Sequence, residues 1–248
     1  MDRLKHLDFS AAALHIFAMA MMLCDHLWAT VISGNAWLTC LGRLAFPIFA
    51  FLIAEGAART SNWRKYALRM LIFAVISEIP FNLMCGGYWF YPLHQNVLWT
   101  FLIALCIIRL NQKVKEKSRL IRYLVGISTA AVGYLLGYLT MVDYYGAGVA
   151  MVLVFYLFPE RNWKSRIAQL LLLYYLNVEV LGGFGYEAYL FGKMVFIPQQ
   201  SFALFALIPI WLYQGRQGHH SRTFRYLCYG FYPAHMLILW LIGSFLLR

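Results

Sequence analysis

Phe9-Ser-Ala-Ala-Ala-Leu-His15-Ile-Phe-Ala-Met-Ala-Met-Met-Leu-Cys-Asp25-His26-Leu-Trp-Ala-Thr-Val-Ile32 is an apolar run with one charged residue, Asp25, and two imidazoles, His15 and His26. As a helix it reaches about 36 Å, against about 30 Å of bilayer hydrocarbon. The spacing therefore predicts a transmembrane helix. The run is too long for the apolar region of a secretory signal, and no small-residue cleavage motif closes it. It is expected to be retained as the first span.

The rest of the chain has the same character. Of 248 residues, 62% are hydrophobic, 18% aromatic and only 12% charged. An ordinary soluble domain carries roughly 25% charged residues, so that class is excluded. The expected fold is all-α: a polytopic helical bundle of about nine spans (eight to ten), forming one domain over residues 1–248. The apolar segments fall at 9–32, 38–56, 66–86, 96–111, 121–142, 146–160, 166–182, 198–214 and 224–247. Pro47, Pro80 and Pro233 lie inside spans, where kinks are expected. The segment 183–197, rich in aromatics, is expected to lie on the membrane surface.

Basic residues fix the orientation. Arg3 and Lys5, then Arg59, Arg64, Lys65 and Arg69, then the clusters at 109–122, 161–166 and 216–225 occupy alternate connections, and only Lys193 breaks the pattern. Positive-inside places the N-terminus and these loops in the cytoplasm. The same distribution explains the net charge of +11 without nucleic acid: the expected partner is the lipid bilayer. The five cysteines show no CxxC or CxxxH spacing, so neither a zinc site nor a disulfide framework is expected. Gly133 and Gly137 make a small-residue face that packs within the chain or, in a homodimer, between two copies, with the former favoured.

Ionisable residues at membrane depth cost about 3 kcal/mol on insertion scales and usually face the bundle interior. With this topology Asp25, His26, Arg43, Glu78, Asn96 and Asp143 all fall toward the external half. One reading is a set of buried ion pairs, such as Arg43 with Glu78 or Asp25. The other is a polar cavity open to the outside, with His26 suited to general acid–base work. His15 and His26, eleven residues apart, lie on one helical stripe about 16 Å long.

Met22-Leu-Cys-Asp25-His26, Gly42-Arg43-Leu-Ala-Phe-Pro47, Glu55-Gly56 with Thr60, and Tyr66-x-x-Arg69 form a series of polar segments. Glu78-Ile-Pro80-Phe81-Asn82, Asn96, Asp143-Tyr-Tyr-Gly146 and Tyr232-Pro233-Ala-His235 continue it along most of the chain. Together these segments resemble the TraX family of integral membrane proteins, which is associated with acetylation of pilin N-termini. It is similar to membrane acyltransferases that draw on cytosolic acetyl-CoA, in which a basic residue precedes a first-helix histidine by eleven positions. Here the histidine matches His26, and His15 stands where Lys or Arg is expected.

The resemblance implies an acetyl-CoA-dependent acetyltransferase in the cytoplasmic membrane of a bacterium. The acceptor is an amine or hydroxyl: a pilin N-terminus, a surface sugar or a small molecule. His26 would be general base or transient nucleophile. Asp25, Glu78 or Asp143 would orient it, and Arg43 or Asn96 would stabilise an oxyanion. His15, Arg43, Arg59, Arg64, Lys65 and Arg69 are the candidate cofactor contacts. Asn82, Asn96, Tyr232 and His235 are the candidate substrate contacts, and no metal is expected. The competing readings are a transporter or flippase using the polar stripe, and a non-catalytic partner in assembling a surface polymer.

Overall fold

Ser10 begins the described helices: its Oγ accepts from the Ala13 amide at 3.2 Å, and α1 (Ala11–Thr30) follows. The same device starts α4 (Trp63–Gly86) at Asn62, α5 (Val97–Lys113) at Asn96, α6 (Arg119–Leu139) at Ser118 and α8 (Trp163–Tyr174) at Asn162. Short polar side chains there satisfy amides that a helix start leaves unpaired. The computed structural model describes residues 9–219 and 221–245. Arg3, Lys5 and the end of the ninth expected segment lie outside the described residues.

Among the described residues five helices are long and apolar enough to cross a membrane: α1, α2 and α3 taken together, α4, α6 and α10 (Arg222–Phe245). The other expected segments are shorter. The sixth, α7 (Tyr145–Leu157), has 13 residues, about 20 Å of helix. Gly146–Val149 and Met151–Phe155 are all buried, so its apolarity answers to neighbouring helices. The seventh is α8 prolonged by a π-helix (Tyr175–Leu181). The eighth is a 3-10 helix (Gln199–Ala206) running into α9 (Leu207–Leu212).

Two expectations are corrected. Pro47 does not kink a span at its own position. The span is broken upstream, between α2 (Ala36–Gly42) and α3 (Ala45–Arg59), and Pro47 sits in the first turn of α3. Proline has no amide to give the carbonyl four residues back, and its ring collides with it; that carbonyl belongs to Arg43. Pro80 and Pro233, by contrast, lie within continuous helices. The all-α reading also missed a hairpin, β1 (Gly185–Leu190) antiparallel to β2 (Lys193–Pro198) with Gly185 opposite Pro198. Its two-residue turn has φ 50° at Phe191 and 76° at Gly192, the double-positive turn that suits a twisted hairpin.

Gly133 and Gly137 pack inside the chain. A Cβ on Gly133 would lie 3.0 Å from Ile107 of α5, and one on Gly137 would lie 2.8 Å from the Tyr145 carbonyl of α7. The opposite face of α6, from Leu120 through Leu139, is exposed and apolar, as a lipid-facing surface must be.

The connections sort to two ends. At one, Arg59 Nη1 donates to the Gly215 carbonyl at 3.0 Å, and the first amides of α1 donate to the Arg216 and Gln217 carbonyls at 2.8 and 3.1 Å. At the other, the Asp143 amide donates to the Gln95 carbonyl and the Gln95 amide to the Met141 carbonyl, and the Cys40 Sγ and Tyr186 hydroxyl of the hairpin lie 3.3 Å apart. These are called below the basic end and the hairpin end.

Candidate functional site

Three elements converge on Asp25 near the hairpin end. The break after α2 puts Arg43 beside α1, and its guanidinium pairs with Asp25 Oδ2. Thr39, fully buried one turn earlier, donates from Oγ1 to Asp25 Oδ1 at 2.6 Å. Gln199, just past the hairpin, donates from Nε2 to Thr39 Oγ1 at 2.7 Å. Gly42 permits this closeness, because a Cβ there would lie 2.3 Å from that of Asp25. The Asp25 and Arg43 side chains are 18% and 17% exposed. Asp25 is therefore engaged by Thr39 and Arg43. Of the two ion pairs weighed for Arg43, the structure holds the one with Asp25.

His26 instead meets His235 of α10. Its Nδ1 lies 2.7 Å from His235 Nε2, and His235 Nδ1 lies 2.6 Å from the Phe231 carbonyl. The ring planes differ by 6° with centroids 4.9 Å apart. Parallel planes with so short a nitrogen–nitrogen distance and so long a centroid separation place the rings edge to edge, the geometry of an in-plane hydrogen bond. His235 is buried, stacked on Phe231, and touches His26 rather than standing alone as a substrate contact.

A third cluster joins α4, α5 and the loop before α7. Asn96 caps α5 with its Oδ1 and donates from Nδ2 to Glu78 Oε2 and to the Ala74 carbonyl. Trp99 Nε1 adds a hydrogen bond to Glu78 Oε2 at 2.9 Å. Glu78 Oε1 and Asn82 Nδ2, one turn apart on α4, are buried with no hydrogen-bond partner among the described residues. Asp143 Oδ1 accepts from the Tyr144 amide at 3.1 Å and lies 3.6 Å from His94 Nε2. Hydrogen bonding to that carboxylate raises the His94 pKa above its ordinary value, against a smaller opposing effect of partial burial. Neither Glu78 nor Asp143 has a hydrogen bond to His26 among the described residues; the ring partner there is His235.

Toward the basic end α1, α3, α4, α5 and α10 enclose a cavity of about 690 Å³. His15 lines it at the start of the α1 stripe, followed by Met19 and Met22. Arg59, Lys65, Arg69 and Arg225 border it, with Glu55 the one carboxylate among its lining residues. Glu55 is matched by Arg59 at 2.5 Å and by the Tyr213 hydroxyl at 2.9 Å. Arg69 lies over the Tyr66 ring, and its Nε is buried with no hydrogen-bond acceptor among the described residues. The far end reaches Leu98, Met22 and Tyr232, the last two one turn short of His26 and His235. Of the expected cofactor contacts, Arg64 is exposed and does not line this cavity, and Arg43 is held by Asp25 beyond its end.

The model of the family described as "TraX protein" matches residues 10–243. The chain belongs to the TraX family. A relative, the probable fimbrial assembly protein FimC of serogroup H1 from Dichelobacter nodosus, is 27% identical over 249 residues. That match covers 95% of this chain and 96% of the relative. No solved structure matches this TraX-family chain.

Sequence reasoning followed charges in apolar spans and so passed over Thr39, Gln199, Trp99 and His94. Three of these are neutral hydrogen-bonding groups. The available signal for Thr39 was its place one turn before Arg43; for His94, its place two residues before Asn96. In this TraX-family chain the pairing of His26 with His235 spans 209 positions, and spacing rules within a helix do not reach that far.

Proposed function

We propose that this chain is a bacterial cytoplasmic-membrane acetyltransferase, moving an acetyl group from cytosolic acetyl-CoA to an amine or hydroxyl at the external half of the membrane. The observation that carries this reading is the cavity. It is bordered by cations at the basic end, walled by Met19, Phe49 and Phe101, and it stops one turn below the two imidazoles. Its volume lies within the roughly 300–1,000 Å³ usual for small-molecule sites. The buried Arg69 Nε, a donor with no acceptor among the described residues, fits a ligand with phosphates at one end and an apolar arm. The name of the Dichelobacter relative adds a link to fimbriae, so a pilin N-terminus stands among the acceptors.

Arg59, Lys65 and Arg69 would hold the phosphates, and His15, Met19 and Met22 would line the arm's path. Acetyl-CoA supplies the acetyl group as a thioester. His26 takes the proton of the acceptor amine or hydroxyl as that atom adds to the thioester carbonyl. As the carbon–sulfur bond breaks, His26 returns the proton to the departing sulfur. Glu78, Asn82, Asn96 and Asp143, at the same depth, would line the acceptor's approach. The test is acetyl transfer from labelled acetyl-CoA to peptide, amino-sugar and hydroxyl acceptors by purified protein in nanodiscs. Loss of transfer in His26→Ala is expected, and full transfer by that variant would overturn the assignment.

A further inference from the structure

We infer that His235 is a positioning residue that fixes which ring nitrogen of His26 carries the proton; the inference rests on His26 being the base. A carbonyl oxygen only accepts, so the 2.6 Å contact to Phe231 places the proton of a neutral His235 ring on Nδ1. His235 Nε2 is then an acceptor, and the group facing it at 2.7 Å, His26 Nδ1, must donate. A neutral imidazole has one ring proton. His26 Nε2 is therefore left with its lone pair in the ring plane, the state a general base needs.

The surroundings support a fixed arrangement. The rings are edge to edge with planes 6° apart, and His235 also stacks on Phe231 at 4.6 Å between centroids. His235 is 5% exposed and cannot turn over without breaking both contacts. The neighbouring carboxylate, Asp25, is engaged by Arg43 and Thr39, so it does not compete for the Nδ1 proton. Imidazole, carbonyl and helix backbone thus form a relay of orientation, with no charge required on either ring.

The experiment reads the ring nitrogens directly, by ¹⁵N NMR of histidine-labelled full-length protein in nanodiscs, with His26→Gln to assign the signals. Wild type should show His26 protonated at Nδ1 and bare at Nε2. His235→Ala should release that preference and lower kcat by roughly 100-fold while the KM for acetyl-CoA stays within about twofold, as losing a tautomer-setting partner does in other enzymes. His235→Gln, whose amide oxygen can accept from Nδ1, should restore the tautomer and most of the rate. A bare Nδ1 in wild type would overturn the inference. So would His235→Ala with unchanged tautomer and kcat, or with a change confined to the acceptor's KM, which would make His235 a substrate contact. Should the wild type transfer no acetyl at all, the reading of function fails, and the spectrum still decides the tautomer.

Discussion

At the hairpin end Asp25, Thr39, Arg43 and Gln199 bond to one another and leave little space. At the basic end Arg59, Lys65 and Arg69 border a cavity of about 690 Å³. The first group of polar side chains is neutralised internally, by contacts from three separate elements. The second carries more cation than one carboxylate, Glu55, can offset. Charges that satisfy one another hold helices in register, whereas charges facing open space are available to a ligand. The difference separates a hairpin end whose polar groups satisfy one another from a basic end built around open space.

The largest expected effect separates these ends by stability. Arg43→Ala leaves Asp25 unpaired in a mostly buried position and should cost about 3–5 kcal/mol, measured as resistance to unfolding by SDS. Arg59→Ala removes a more exposed pair, 39% and 24% accessible, and should cost under about 1 kcal/mol. Equal losses would erase the distinction. Gly42→Ala comes next. Its Cβ has no room beside Asp25, so about 1–3 kcal/mol of overpacking is expected in the same assay.

A fourth substitution fills the cavity. Met19→Trp puts an indole into the cavity and should weaken acetyl-CoA binding at least about tenfold, since the site is occupied by protein atoms. Thermal stability should change little, and calorimetric titration would show the loss. Unaltered affinity would place the donor elsewhere.

The smallest effect is a pH dependence. The raised His94 pKa means that the folded state favours its charged form beside Asp143. That stabilisation is present in full below the unfolded value of 6.5 and fades as pH rises through the higher folded value. Both side chains are about a third exposed, so the change is modest. Asp143→Asn should flatten it in thermal melts between about pH 5.5 and 8.5, a window spanning the usual His range. A slope unchanged by that substitution would assign it to another group.

Much of this was legible in the residues. The run 9–32 yields a helix over Ala11–Thr30, and apolar length with alternating basic loops anticipates the two ends. Arg43 stood out because a cation inside an apolar span needs a partner, and Asp25 was one of two weighed. Other features resist a one-dimensional reading. Apolar length cannot tell a lipid-crossing helix from α7, which is apolar because protein surrounds it. The hairpin was hidden because its turn places Phe191 at positive φ, where Asn or Asp would have signalled it. Glu78 and Asp143 share a depth with His26 yet do not bond to it: depth follows from span position, but direction follows from how helices rotate against one another.

Sidedness tests the central claim most directly. Protein is reconstituted in vesicles in one known orientation, and labelled acetyl-CoA is given to one face at a time with acceptor on the other. The account predicts acetylated acceptor only when the donor meets the face bearing Arg59, Lys65 and Arg69. Equal labelling from either face, or labelling only from the hairpin face, would contradict it.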